Sequence, residues 1–259
     1  MLGLQSLIVV DPLSDQNPLI KKIRRAVAQG GLTADGYAVA EGPHLLQEAR
    51  ASRCEIAQVL ATETAAYKLG PGRDFCLISE KTMVAISSTE TPQGVIALVR
   101  PPDWALTDVF AKPALAVVLD GVQDPGNAGA IVRAAEAFEA SGVVFLKGSV
   151  NPYHPRCLRA SAGSLFRLPV VSAAHFEELI QREVHFYAAM AGASRPLNKT
   201  DFSGPCAIII GSEGHGVSRQ WQGRAIPVSI PTRGVESLNA AVATGVLLYE
   251  AQRQRGSKP

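Results

Sequence analysis

Residues 115–133 read LAVVLDGVQDPGNAGAIVR, an apolar run followed by a glycine-rich loop and the start of a helical pattern. The run Leu115–Leu119 is continuously apolar, as expected of a strand that is buried on both faces of a parallel sheet. Glycines in the loop permit tight turns, and Ile131, Ala134 and Phe138 then share one apolar stripe of a helix. This is the first half of a β-α-β unit, and it predicts a parallel sheet flanked by helices.

The alternation of strands and helices continues on both sides of this unit. Towards the C-terminus we predict strands at Val143–Leu146, His185–Met190 and Ala207–Ile210, with helices at Gly129–Ala140, His175–Gln181 and Leu238–Arg253. Towards the N-terminus we predict strands at Tyr37–Ala40, Gln58–Ala61, Phe75–Ile78 and Val95–Val99, with helices at Leu19–Ala28 and His44–Arg50. This second set is typical of a small α/β sandwich. Two prolines after Arg100 mark a linker, so we predict domains at 1–100 and 114–259, joined by residues 101–113.

Composition and charge exclude several classes of protein. The 259 residues are 47% apolar, which excludes wholesale disorder, and 25 basic against 23 acidic residues exclude a histone-like polycation. No apolar run approaches the roughly 18 residues of a membrane span, and the N-terminal MLGLQSLIVV lacks the basic residues of a signal peptide. The four cysteines are widely spaced, so we expect no disulfide framework and a reducing, cytoplasmic location.

The familiar motifs of nucleotide and hydrolase chemistry are missing from the sequence. It contains no GxGxxG that opens a helix after a strand and no GxxxxGK[ST], which argues against a dinucleotide-binding oxidoreductase and a P-loop NTPase. It also contains no HExxH and no GxSxG, and its five histidines lack metal-ligand spacing. We therefore expect no metal site.

Polar side chains instead collect in three loops that follow predicted strands, where α/β sheets bind ligands. In the first loop Asn127 is placed to cap the helix, and Arg133 lies off the apolar stripe of that helix. Glu213 directly follows a buried strand, where a carboxylate needs a partner. It could form an ion pair with Arg133 or take part in a functional site, and it could do both. Ser237 and Asn239 precede the last helix, where they suit either capping or a polar ligand such as phosphate.

The three loops together resemble the signature motifs of the SpoU (TrmH-like) RNA ribose 2′-O-methyltransferases. The matching segments, in order, are NAGAIVRAA (127–135), ASAGSLFRLP (160–169), IIIGSEGHGVS (208–218) and IPTRGVESLNAAVATGVLLYE (230–250). The first hundred residues are similar to the L30e-like substrate-binding domain of many rRNA-directed members, through AEGPHLL (40–46) and PQGVIA (92–97). One departure is Thr232, which stands where many members have methionine.

The resemblance implies a fold, a cofactor and an assembly. The fold is an α/β domain of the SPOUT type, in which a parallel sheet ends in a trefoil knot. The knot would hold the methyl donor S-adenosylmethionine, without a metal, in a pocket lined by Gly211, Ile230 and Leu238, where the glycine would let the backbone approach the adenosine. The family works as a homodimer through the C-terminal region. Val242, Val246 and Tyr249 would then lie either at that interface or in an internal core.

The resemblance also implies roles for the polar residues. Arginine is a poor general base because its pKa lies above about 12, so we expect a charged Arg133 to clamp a phosphate beside the target and to favour the developing alkoxide. Asn127 would orient Arg133 or the ribose, and Glu213 would fix the guanidinium. Ser237 and Asn239 would bind the RNA phosphate or the methionine end of the donor.

The predicted substrate is a ribose 2′-hydroxyl of structured RNA, with large-subunit (23S) rRNA favoured by the first-domain resemblance. A tRNA substrate, a resistance methylation of the ribosome and a non-catalytic RNA-binding factor on the same scaffold are the alternatives. The densest basic cluster of the chain is either a solvated helix face or an RNA-phosphate contact. Its members are Lys21, Lys22, Arg24 and Arg25.

Overall fold

The computed structural model describes residues 12–70 and 75–256, so the N-terminal segment considered above as a signal peptide lies outside the described residues. The chain divides between Arg100 and Pro101 into two compact units. Within the described ranges, no helix has both the length and the apolar character that crossing a lipid bilayer requires.

The first unit is a four-stranded sheet with helices on both faces. Its strands lie in the order β1-β4-β2-β3, in which β4 runs antiparallel to β1 and β2 while β3 runs parallel to β2. The strands are β1 (Ala38–Glu41), β2 (Ile56–Ala61), β3 (Cys76–Leu77) and β4 (Val95–Val99). The helices are α1 (Pro18–Gln29), α2 (Pro43–Ala51), α3 (Glu63–Leu69) and α4 (Glu80–Ile86). The predicted α/β sandwich is confirmed.

The core on one face of this sheet is made by α1 and α4. Ile20 and Ile23 of α1 pack with Met83 and Ile86 of α4 against apolar side chains of the strands. Because α1 buries this stripe, its remaining positions face outward and carry the basic residues.

The second unit is a six-stranded, wholly parallel sheet with strand order β10-β8-β9-β5-β6-β7. Its strands are β5 (Leu115–Asp120), β6 (Gly142–Leu146), β7 (Val170–Ala174), β8 (His185–Ala189), β9 (Cys206–Gly211) and β10 (Ile226–Val228). Its α-helices are α5 (Leu106–Val109), α6 (Pro125–Ala137), α7 (Pro155–Ser161), α8 (Phe176–Leu179) and α9 (Ala240–Gly256). Short 3-10 turns lie at Ser164–Phe166, Leu197–Lys199 and Arg219–Trp221. The predicted parallel α/β sheet is confirmed.

The strand β5 lies at the centre of this sheet, and every one of its residues is buried. The strands β6 and β7 lie on one side of β5. The chain then crosses to the other side of β5, where β9 is its neighbour. Asp120 at the end of β5 consequently pairs in register with Gly211 at the end of β9. The strand order reverses at this point, where open parallel sheets characteristically bind ligands beyond the carboxyl ends of their strands.

The helices that flank this point begin at residues other than those predicted. Asp124 caps α6, since its Oδ1 accepts from the backbone amide of Asn127 at 2.7 Å, so the prediction that Asn127 is the cap is wrong. The helix therefore begins at Pro125 rather than at Gly129, because proline needs no hydrogen-bond acceptor in a first turn. Of the two candidates for the cap of α9, Asn239 fills the role.

Candidate active site

The carboxyl edge of β5 and β9 is closed by a buried carboxylate that the sequence analysis missed. Asp120 is the last residue of β5, and its Oδ2 accepts from the backbone amide of Ser218 at 2.7 Å, while its Oδ1 accepts from Nε2 of Gln220 at 3.3 Å. These contacts tie the segment after β9 to the end of β5. An acidic residue that closes a buried apolar strand is the signal that could have identified it.

Asn127 links the three polar loops through its side-chain amide. Its Nδ2 donates to Oε1 of Glu213 at 2.7 Å, and its Oδ1 accepts from Nδ2 of Asn239 at 3.0 Å. Three of the predicted site residues thus form one hydrogen-bonded row, in which Asn127 lies 86 positions before Glu213 and 112 positions before Asn239. We call the row Asn239–Asn127–Glu213 the amide row.

The start of α9 fixes the direction of every hydrogen bond in the amide row. Oδ1 of Asn239 accepts from the backbone amides of Ala241 and Val242 at 2.9 and 3.3 Å, so its Nδ2 must point the other way, towards Asn127. The oxygen of Asn127 faces this donor, and its Nδ2 is left for Glu213. The row therefore ends on the carboxylate of Glu213, which can accept further hydrogen bonds from a ligand.

Arg133 lies on α6 with its side chain exposed. Within the described part of the chain it forms no hydrogen bond and no ion pair, so the predicted ion pair between Glu213 and Arg133 is not formed. Glu213 has Asn127 as its partner instead. An exposed guanidinium with no intramolecular partner is free to bind an anion.

The helix that carries Asn127 and Arg133 is held in place by its close packing on α7. A Cβ at Gly129 would lie 2.3 Å from the carbonyl oxygen of Cys157 and 2.7 Å from the Cβ of Ala160, so only glycine permits this approach. Burial raises the pKa of the Cys157 thiol to about 12, so it remains protonated and serves as a packing group rather than a nucleophile.

Gly211 needs to be glycine for a different reason from the one expected. A Cβ at this position would lie 2.0 Å from the carbonyl carbon of Gly216 and 2.1 Å from the backbone nitrogen of Val217. The chain's own returning backbone occupies the position that a Cβ of residue 211 would take. The bridge between Ser212 and Gly216 closes the same loop, in which each backbone amide donates to the other residue's carbonyl.

The loop before α9 carries the remaining predicted residues. Ile230 and Leu238 are half-buried, whereas the residues between them, including Ser237, are exposed. The Oγ1 of Thr232 donates to the carbonyl of Val235 at 3.0 Å, so a turn within the loop uses the hydroxyl that stands where many relatives have methionine. The structure does not join Ser237 to the amide row.

The basic cluster lies on the outer face of α1 in the first unit. Nζ of Lys22 is 2.8 Å from Oδ2 of Asp35, and this contact helps lower the pKa of that carboxyl to about 2. Lys21, Arg24 and Arg25 are exposed. Three of the four predicted cations therefore remain open to solvent, and the fourth is neutralised.

Comparison with known proteins gives both units a family. Residues 114–249 match the SpoU rRNA methylase family, and residues 17–97 match the MRM3-like substrate-binding domain. A protein of Synechocystis named as an uncharacterized tRNA/rRNA methyltransferase is 34% identical over 93% of each chain. The 23S rRNA guanosine-2′-O-methyltransferase RlmP of Bacillus subtilis is 30% identical over 91% of this chain and 96% of its own.

A solved structure shows the same architecture. The SpoU methyltransferase AviRb of Streptomyces viridochromogenes, crystallised with S-adenosylmethionine, superposes with a TM-score of 0.82 at 25% identity, over 94% of this chain and 100% of its own. The family match covers the whole parallel-sheet core, including the amide row and Arg133. The chain therefore belongs to the SpoU rRNA methylase family and is a methyltransferase.

Proposed function

We propose that this chain transfers a methyl group from S-adenosylmethionine to a ribose 2′-hydroxyl of large-subunit (23S) rRNA. The observation that carries the proposal is the amide row at the edge where β5 and β9 end, with the exposed Arg133 on the same helix as Asn127. The rRNA specificity is supported by RlmP, which is named for 23S rRNA, and by the match of the first unit to a substrate-binding domain.

The loops at this edge fit a donor that is held largely by backbone groups. A side chain at Gly214, Gly216 or Gly234 would meet nothing within 4 Å, so open space borders exposed backbone there. Ile230 and Leu238 offer half-buried apolar surface next to the same loops, which suits the adenine and the methionine stem. When bound, S-adenosylmethionine supplies a methyl group already activated on a sulfonium. Gly211 would contribute through the shape of the loop that it permits.

The protein's task is then to position and polarise the alcohol. The guanidinium of Arg133 would bind the phosphate beside the target ribose and favour negative charge on the 2′-oxygen. Glu213, held by Asn127, would accept a hydrogen bond from the ribose and so orient it. Ser237 would bind phosphate or the carboxylate end of the donor. Positioning of the two reactants supplies much of the rate enhancement in such a reaction.

We also propose that two copies of the chain pair through α9, next to the knot that the family resemblance predicts. Val242, Val246 and Tyr249 are 54%, 36% and 59% exposed, so they do not form an internal core. Tyr249 meets Phe138 edge-on with ring centroids 6.1 Å apart, which extends the apolar surface onto the end of α6. An apolar stripe at i, i+4 and i+7 on an exposed helix face suits burial against a second copy.

Ribose-methylation mapping of total RNA tests the function directly. RNA from cells that lack the gene should lose methylation at one position of large-subunit rRNA, which the wild-type gene restores and an Arg133→Gln gene does not. Loss of a position in tRNA would instead reassign the substrate. No lost position in any RNA would refute the proposal.

A further inference from the structure

Arg156, in the first turn of α7, lies against the first turn of α6. Its Nη1 is 3.6 Å from Oδ2 of Asp124, the residue that caps α6. Its Nε and Nη2 are 3.5 Å from the position that a Cβ would take at Gly126. Asp124 in turn holds the backbone amide of Asn127, so Arg156 lies one residue away from the amide row. The predicted site residues do not include this guanidinium.

The contact with Asp124 does not explain why an arginine stands here. The Arg156 side chain is 60% exposed and the Asp124 side chain 37%, and exposed ion pairs of this length contribute little to stability. The start of a helix also carries a partial positive charge, which disfavours a cation. A cation that stabilises its surroundings so little, yet lies at the edge of the active site, suggests an anionic ligand.

A second arginine, Arg159, lies on the same helix as Arg156. Burial, together with the charges of Arg159 and Arg156, lowers the pKa of His154, so its neutral Nδ1 accepts from the backbone amide of Arg156 at 3.1 Å. The starts of α6 and α7 meet here, and Asp124 is the carboxylate that faces Arg156.

Arg156 and Arg133 lie along the same flank of α6. Residues 126, 129 and 133 fall on one face of this helix by their spacing. Three contacts follow one another along α6: Gly126 faces Arg156, Gly129 faces α7, and Oε1 of Glu136 accepts from Nε of Arg167 at 2.6 Å. The chain from 156 to 167 therefore runs beside α6 and in the same direction. Seven residues of helix separate Gly126 from Arg133, a distance of about 10 Å. Gly126, which Arg156 contacts, and Arg133 therefore lie on one face of α6.

We propose that Arg156 binds a second backbone phosphate of the RNA, next in line to the phosphate held by Arg133. This inference rests on the proposed function and adds a substrate contact to it. Two cations at different points along α6 would fix the direction in which the strand crosses the site, as well as its position. The target ribose is thereby presented in one orientation.

The test compares Arg156→Gln with wild type on large-subunit rRNA purified from cells that lack the gene. Affinity should fall by about fivefold, since a charge-assisted hydrogen bond to phosphate is lost. The slope of log affinity against log salt should become shallower by about 0.7–0.9, the value for one phosphate contact. KM should rise by the same factor with kcat within about twofold, and S-adenosylmethionine affinity should not change. Arg156→Lys should recover most of the salt slope.

Arg224→Gln is the matched control, because it also removes one exposed arginine from the second unit. Arg224 precedes β10 and so lies at the opposite, amino edge of the parallel sheet. Its loss should change affinity by less than twofold and leave the salt slope unaltered. Equal effects of the two variants, or no effect of Arg156→Gln on the slope, would overturn the inference. If wild type methylates no position of this RNA, the proposed function fails and the inference fails with it.

Discussion

Replacement of Gly129 by alanine tests whether the close packing of α6 on α7 positions the site. The new Cβ would lie 2.3 Å from the carbonyl oxygen of Cys157, and ordinary contact begins at 3.4 Å, so α7 must retreat by about 1 Å. Overpacking of this kind costs about 1–3 kcal/mol. Alanine recovers up to about 1 kcal/mol through its better helix propensity. The middle of that range, about 2 kcal/mol, less the full gain in helix propensity leaves a net loss of about 1 kcal/mol, which lowers the melting temperature of the second unit by about 2–4 °C.

The same shift should reach the chemistry, because α6 carries Asn127 and Arg133. A displacement of about 1 Å is enough to disturb a near-attack geometry, so kcat should fall by about tenfold or more. Differential scanning calorimetry and methyl transfer to rRNA measure the two effects. Gly204→Ala is the control, since a Cβ there meets nothing within 4 Å, and it should be neutral or slightly stabilising. A Gly129→Ala protein that melts at or above wild type would refute the packing argument.

Three further outcomes are expected. Arg133→Gln should lower kcat by about a hundredfold or more and leave S-adenosylmethionine affinity unchanged by calorimetry; normal turnover would exclude an electrostatic role. Tyr249→Lys should convert a dimer into a monomer in sedimentation velocity, and a monomeric wild type would remove the basis for pairing through α9. Burial raises the pKa of Glu41, but hydrogen bonds from Ser87, Ser88 and Thr89 outweigh it and hold that pKa below 4.5. Stability from Glu41 should thus be present at neutral pH and lost as pH falls below about 4.5, so Glu41→Gln should flatten that acid loss in urea unfolding.

The strands that the sequence predicts correctly are those formed by continuous apolar runs. β5 and β9 are buried along almost their whole length, so their sequences are continuously apolar and the pattern is unambiguous. β10 was missed because it has three residues, one of them proline, at the edge of the sheet. α3 and α4 were missed because each has seven residues, too few to establish a helical period.

The residues that form the candidate site were easier to predict than the contacts that each of them makes. Polar residues after buried strands identify the loops, and strand order then brings those loops together. Nothing in a linear sequence tells whether Glu213 faces Arg133 or Asn127, because both lie on α6 within two turns of each other. The contact between the Cβ position of Gly211 and Val217 could not be predicted either, because it depends on how the loop folds back.

Helix capping explains why the side-chain amide of Asn127 is available to bind Glu213 and Asn239. A side-chain oxygen that caps a helix points at the backbone amides of that helix's first turn, so an Asn127 that capped α6 would have to divide its oxygen between that turn and Asn239. Asp124 takes the cap, and Asn127, three residues later, keeps both ends of its amide for the loops. Asn239 both caps a helix and joins the amide row with one side chain. Its oxygen accepts from the start of α9, and its nitrogen donates to Asn127. The helix starts thus determine which way the amide row points, and the row delivers an oriented carboxylate to the edge where the ribose would bind.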